Sequence, residues 1–293
     1  VDVELGVSTP VILRGGAGPM AFAMTVEDFS RIRLFTFGLC GISLSEAKVD
    51  MAYNRLSRVL RARGMASFEA YLDLLEGGDA ATRQEFVNAM TTNLTRFFRE
   101  AAHFELLADL LRRAAGKPAV WCAGCSTGEE AYTIAITAIE ALGARASSAR
   151  VLATDVDTEV LGRGASGVYP QEAARDIDPA RLRRFFLAGT GANSGRIRVR
   201  PEVQEMVRFE QHNLRGSAWP AAGSFDAIFC RNVLIYFNQQ SQAEVLEKMS
   251  ACLRPGGLLF AGHSEFYAHS AHRWTRIAHA VYRRSADARG NSP

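Results

Sequence analysis

The sequence predicts an α/β fold of the Rossmann-like type with an all-helical domain in front of it and a small antiparallel β insert within it. Three observations lead there. Residues 25 to about 91 carry only helical periodicity. From Ala119 onward, short apolar strands alternate with helices, the pattern of a mostly parallel sheet covered on both faces. The stretch from 167 to 200 breaks that alternation with a glycine-rich loop between two apolar segments.

The elements follow in order. Residues 1–24 include Gly15, Gly16, Gly18 and Pro19 and little periodicity, and read as a flexible tail. Thr25-Val-Glu-Asp28 and Ser43-Leu-Ser-Glu46 have capping-box spacing, and helical patterns follow each: Val26, Phe29, Ile32, then Val49, Tyr53, Leu56, Leu60. Shorter helices are expected at Phe68–Leu75 and Arg83–Met90, which completes a helical domain over 25–91. A longer helix is expected over Arg96–Ala114, ending near Gly116 and Pro118. The strand candidates are Ala119–Ala123, Arg150–Thr154, Met206–Glu210, Phe225–Cys230 and Gly257–Gly262, with His279–Arg283 as a last one, and helices near 128–142 and 239–252 lie between them. Together they place a second domain over 92–293, with the insert at about 167–200. Within the insert, Ala188-Gly-Thr-Gly-Ala-Asn-Ser-Gly195 joins Phe185-Phe-Leu187 to Ile197 and Val199 and reads as a hairpin, with a plain surface loop as the alternative.

A chain of 293 residues with 48% hydrophobic content can bury one large or two unequal cores. No stretch reaches the roughly 18 or more uncharged apolar residues of a membrane span, and the first residues lack the order of a signal peptide. A cytoplasmic location is therefore expected. The five cysteines, Cys40, Cys122, Cys125, Cys230 and Cys252, are odd in number and scattered, which fits a reducing compartment. A net charge of +3 permits an acidic partner and is too small to argue for nucleic acid.

Val120-Trp-Cys-Ala-Gly-Cys-Ser-Thr-Gly-Glu-Glu130 is the segment richest in chemistry: an apolar strand runs into a small-residue loop and then a helix start, where a ligand can approach the backbone closely. There is no GxGxxG fingerprint. Glu129-Glu130 would repel a diphosphate but suits a cofactor bearing a sulfonium and an ammonium. Asp155 ends the next strand, where an acidic side chain can take both ribose hydroxyls. The alternative is a helix start with surface carboxylates. Cys122 and Cys125 match CxxC, but without a second pair they read better as small residues lining a tight loop than as a metal or redox site, and no metal site is expected. Phe225–Cys230 leads into Arg231-Asn232 at the edge where open α/β sheets bind ligands, with Tyr236 in reach; Asn213 faces the same edge or caps a turn. Arg55, Arg58 and Arg61 recur at helical spacing as one basic face, either solvated or attracting acidic helices.

Thr91-Thr-Asn-Leu-Thr-Arg-Phe-Phe-Arg99, Ser126-Thr-Gly-Glu-Glu-Ala-Tyr132, Ala153-Thr-Asp-Val-Asp-Thr158, Phe229-Cys-Arg-Asn-Val-Leu-Ile-Tyr-Phe237, and Leu253-Arg-Pro-Gly-Gly257 with Gly262-His-Ser-Glu265 resemble, in order and spacing, the CheR family of chemotaxis receptor methyltransferases. The resemblance covers most of 25–285. It implies a class I Rossmann-like methyltransferase domain, S-adenosylmethionine as methyl donor with S-adenosylhomocysteine as product, and transfer to glutamate side chains of membrane chemoreceptors. By motif position, Asn93, Thr95, Arg99, Glu130, Asp155, Asn213, Leu214, Arg231 and Asn232 would contact the cofactor. Arg99 and Tyr236 would serve the transfer itself, and Arg55, Arg58 and Arg61 would attract the receptor's glutamate-rich helices. The β insert of the family can dock on a receptor's C-terminal tail. The partner implied is thus the cytoplasmic domain of a membrane receptor, with no nucleic acid and no insertion into the bilayer. A cofactor-binding sensor or scaffold, a class I enzyme with another acceptor, and, most weakly, a nicotinamide dehydrogenase are the rival readings.

Overall fold

The computed structural model describes residues 12–14, 22–265 and 274–285, in two compact units that meet between Thr91 and Thr92. Most of the segment expected to be a flexible tail lies outside the described residues. Ile12–Arg14 (β1), which lies inside them, pairs antiparallel with Met24–Thr25 (β2).

In the first unit the Thr25 capping box forms as its spacing requires. Thr25 Oγ1 accepts from Asp28 N at 3.0 Å and Asp28 Oδ2 accepts from Thr25 N at 2.8 Å, which starts α1 (Val26–Cys40). The box expected at Ser43–Glu46 does not form. A 3₁₀ turn over Glu46–Lys48 intervenes, so α2 (Val49–Arg63) begins too far along for Ser43 to reach its amides. Ser67 and Asp79 cap α3 (Phe68–Glu76) and α4 (Ala80–Met90) through their side chains. The apolar faces meet in one core around Phe29, Ile32, Leu56, Leu60, Phe68 and Phe86.

The second unit opens with α5 (Ala102–Arg113), six residues later than the expected helix at Arg96. The reason is visible in the backbone. Phe98 and Glu100 hold left-handed φ angles of 53° and 60°, which an α-helix does not accept. Tertiary contacts hold them there: Phe98 N donates to Thr133 Oγ1 at 3.1 Å, and the Phe97 ring meets Tyr169 and Phe186 edge-on at 5.0 and 5.2 Å.

The remaining elements, in chain order, are β3 (Ala119–Ala123), α6 (Glu129–Leu142), β4 (Arg150–Asp155), α7 (Thr158–Ser166), β5 (Val168–Pro170), α8 (Pro179–Phe185), β6 (Phe186–Ala188), β7 (Arg196–Val199), α9 (Pro201–Gln204), β8 (Val207–Gln211), β9 (Phe225–Cys230), α10 (Gln239–Cys252), β10 (Leu253–Ala261), β11 (Trp274–Ala278) and β12 (Val281–Arg284). Among the described residues, seven strands form the main sheet in the order β11-β12-β10-β9-β3-β4-β8, parallel from β10 through β8 and antiparallel at β12. The last strand expected at His279–Arg283 is present as β12, beginning at Val281 because Ala280 turns left-handed at φ 54° and makes it the second half of a hairpin with β11. β10 reaches back to Leu253, but its register with β9 breaks between Leu253 and Leu258, where Pro255 and Gly256 stand.

Two buried clusters, one against each face, make this a three-layer arrangement. One joins Phe104, Leu107 and Leu111 of α5 to Tyr132, Ile134 and Ala138 of α6, and the other gathers Val245, Leu246 and Met249 of α10 around Trp121. Between β4 and β8 the chain leaves for a separate antiparallel sheet, β5-β7-β6, in which Phe186 pairs with Val199 and Ala188 with Ile197. The expected hairpin is therefore present. The chain runs from β3 outward to β4 and β8, then returns to β9 on the other side of β3, so strand order reverses between β3 and β9. That switch point is where open α/β sheets leave a crevice at the carboxyl ends of their strands.

Candidate active site

The loop after β3 is pinned from below. Gly124 N and Cys125 N both donate to Thr154 O, at 2.8 and 2.9 Å, at the end of the neighbouring strand β4. Gly124 has φ 76°, and a Cβ there would stand 2.3 Å from Val233 Cγ2, so this strand end passes against the loop after β9 with no room for a side chain. Ser126 follows at φ 49°, and its amide donates to Asp155 Oδ2 at 2.8 Å. Asp155 Oδ1 accepts from Asp157 N at 3.1 Å. Asp155 is buried, which pushes its carboxyl above the ordinary range, with the backbone N–H groups pulling the other way.

Glu129 and Glu130 begin α6 as the sequence suggested, with different partners. Glu129 accepts from Thr127 Oγ1 at 2.6 Å. Glu130 pairs with Arg231 Nη1 at 2.8 Å and takes Cys122 Sγ at 3.5 Å. Burial raises both carboxyls, and for Glu130 the Arg231 guanidinium is the main opposing influence. Arg231, whose side chain is 1% exposed, also meets Glu100 Oε2 at 2.9 Å and donates to Arg99 O at 2.7 Å. One buried cation therefore ties together the segment before α5, the start of α6 and the end of β9.

Asn93 is brought to the same edge: its Nδ2 donates to Asp157 Oδ2 at 2.7 Å, while Asp157 Oδ1 caps α7. Thr95 and Arg99 are half-buried, and Arg99 Nε lies 3.7 Å from Glu100 Oε1. Asn213 Oδ1 accepts from Arg215 N at 2.9 Å, the turn-capping role foreseen as its alternative, and Leu214 is buried beside it. Asn232 stands at φ 60°, and Tyr236 closes a 3₁₀ turn over Leu234–Tyr236. Among the described residues, five besides glycine have positive φ, and four of them (Phe98, Glu100, Ser126, Asn232) belong to these loops. Strained backbone concentrated in this way marks a functional edge.

Cys122, within β3, and Cys125, in the loop after it, are buried free thiols with their acidity suppressed by burial. Glu100 is not legible from the sequence, because the composition of its segment is that of a helix; its one signal is its place next to Arg99 at the end of the Thr91–Arg99 motif. Ligand-type atoms of Glu100, His103 and His263 lie within 4.8 Å of one another, but Arg231 already occupies the shared Glu100 oxygen. In the helical unit, Arg58 and Arg61 are exposed on α2, whereas Arg55 donates to Met90 O at 2.8 Å and to Thr91 O at 2.6 Å and so braces the end of α4.

A seven-stranded sheet of this order, with its crevice at the β3/β9 switch point and acidic groups ending both β4 and the loop before α6, defines a class I methyltransferase. Residues 93–282 match the family profile described as "CheR methyltransferase, SAM binding domain", and residues 27–91 match "CheR methyltransferase, all-alpha domain". The chain belongs to the CheR methyltransferase family. It is 47% identical over 268 residues to "Chemotaxis protein methyltransferase 2" of Pseudomonas aeruginosa, covering 90% of this chain and 95% of that one. It is 46% identical to the "Chemotaxis protein methyltransferase" of Escherichia coli, with 90% and 93% covered, and 45% identical to that of Salmonella typhimurium, with 90% and 92% covered.

The cofactor is S-adenosylmethionine, and the donor set fits it. Ser126 Oγ and Arg231 Nε are buried with no hydrogen-bond partner among the described residues, and the carboxylates of Asp155 and Glu129 border the same loop. No helix among the described residues is long and apolar enough to cross a membrane.

Proposed function

We propose that this protein methylates glutamate side chains of membrane chemoreceptors, forming glutamate methyl esters that serve chemotactic adaptation. The relatives named as chemotaxis methyltransferases support this reading. The observation that carries it is that the buried carboxylates of these loops each have a partner within the chain: Glu129 has the Thr127 hydroxyl, Glu130 has Arg231, Asp155 has two backbone amides and Glu265 has three. The buried His103 imidazole is pushed down to about 4 by burial, then by Arg231, so it stays neutral. A site furnished in this way suits an acceptor that needs no general base, and a glutamate carboxylate is ionised near neutral pH.

S-adenosylmethionine supplies a methyl group on a sulfonium when bound. The chain's own residues supply alignment. Asp155, Asn93, Thr95, Asn213, Leu214, Asn232 and Glu130 hold the cofactor; Arg231 fixes Glu130 and the Arg99 carbonyl. Arg99 anchors a carboxylate, and Tyr236 borders the transfer position. Alignment of this kind in a dry crevice can supply most of the rate.

Arg58 and Arg61 form the exposed part of the basic face that draws in acidic receptor helices, an attraction that weakens with salt. The β5-β7-β6 sheet leaves β6 at an edge, beside a groove of about 320 Å³ lined by Leu187, Gly189, Thr190, Asn193 and Arg196. That edge suits strand addition by an extended receptor tail. The test is transfer of labelled methyl from S-adenosylmethionine to receptor-containing membranes, followed by alkali. Methanol released from receptor bands establishes carboxyl esters; cofactor binding with no label on any receptor band moves the assignment to another acceptor or to a sensor.

A further inference from the structure

Glu265 ends the Gly262-His-Ser-Glu265 motif, and it is 5% exposed, four residues past the end of β10. Its carboxylate faces two loops. Oε2 accepts from Gly262 N at 2.6 Å and from Asn232 N at 3.0 Å, and Oε1 accepts from Ile235 N at 3.3 Å. The ends of β9 and β10 lie side by side, Cys230 opposite Ala261, so both loops leave the sheet together. They touch at backbone distance: a Cβ on Gly262 would stand 2.6 Å from Asn232 Nδ2 and 2.9 Å from Asn232 N.

We propose that Glu265 is a positioning residue for methyl transfer, a buried carboxylate latch that holds the Asn232–Tyr236 segment in its working conformation. Asn232 sits in a left-handed conformation that persists only where its surroundings over-determine it. Burial raises the Glu265 carboxyl, and the backbone N–H groups it accepts oppose that rise; these hydrogen bonds fix the amide of Asn232 and, three residues on, that of Ile235, next to Tyr236. The latch works through Asn232 and Tyr236, since its carboxylate accepts from the backbone amides of these two loops. The inference rests on the assignment of Asn232 to the cofactor.

Titration calorimetry with S-adenosylhomocysteine tests it without any acceptor, on Glu265→Gln, Asn232→Ala and the double variant, with melting curves beside them. Glutamine can keep one acceptor oxygen but turns an amide group toward the other N–H. Each single variant weakens binding about 10-fold, and the double variant also about 10-fold, because both act through the one contact of the Asn232 side chain with the cofactor. An additive loss of about 100-fold in the double variant overturns the latch. So does normal binding by Glu265→Gln when Asn232→Ala binds weakly. Normal binding by Asn232→Ala overturns the cofactor role of Asn232 itself, and with it the route by which the latch acts. If Glu265→Gln melts well below the parent, Glu265→Asp, which retains the charge, takes its place with the same outcomes.

Discussion

Replacing Arg231 by methionine keeps most of the side-chain volume and removes the cation that three segments share. Arg231 is 1% exposed, and its partners Glu100 and Glu130 are 11% and 12% exposed, so the variant leaves two nearly buried carboxylates with only the half-buried Arg99, 3.7 Å from Glu100 Oε1, as a more distant counter-charge. Breaking a buried pair from one side costs about 3–5 kcal/mol, a large share of the roughly 5–15 kcal/mol that holds a domain folded. The loss carries a pH signature. Burial already holds the Glu130 carboxyl above its usual value, and Arg231 is the main influence opposing it. Without Arg231 it rises further. A carboxyl with a raised folded-state value contributes stability at low pH that is lost as pH climbs through that value. The gap between variant and parent, measured by urea unfolding at about pH 8 and about pH 5.5, therefore narrows at the lower pH, by roughly 1.4 kcal/mol per unit of added shift. A penalty that is the same at both pH values, or one below about 1 kcal/mol, would refute the argument that Arg231 neutralises buried charge.

Arg99→Ala and Tyr236→Phe separate the two transfer roles: the first weakens carboxylate anchoring and raises KM for cofactor or receptor, the second lowers kcat, and unchanged turnover and cofactor affinity in both remove these residues from the mechanism. His103, held down from 6.5 to about 4, penalises its protonated form in the fold, so stability is complete above pH 6.5 and is lost as pH falls toward about 4. From about pH 7.5 to about pH 5 this amounts to about 2 kcal/mol, and His103→Gln removes that part of the pH dependence in urea unfolding. Reversing Arg58 and Arg61 to glutamate on the exposed face of α2 lowers receptor methylation several-fold at low salt and flattens its salt dependence while leaving S-adenosylhomocysteine affinity unchanged. An unaltered salt profile would rule out that face as the receptor contact.

The sequence by itself determined the elements whose causes are local. The strand at Phe225–Cys230 and the helix at 239–252 were legible because an apolar run and a helical stripe need no partner to be recognised. The Thr25 box was legible because all its groups lie within four residues. Asp155 and the Glu129-Glu130 pair could be placed at a crevice because a strand that runs into a small-residue loop puts its last side chain at the sheet edge. What only the tertiary structure decided has causes remote in sequence. The segment around Arg99 has the composition of a helix, but its backbone is held irregular by Thr133 and Arg231 and by rings from the insert. The pairing of Arg231 with Glu100 and Glu130 spans 131 and 101 residues of chain, and the Glu265 latch on Asn232 spans 33. A buried charge takes its partner from whatever the fold packs against it, and neither periodicity nor spacing along the chain encodes that.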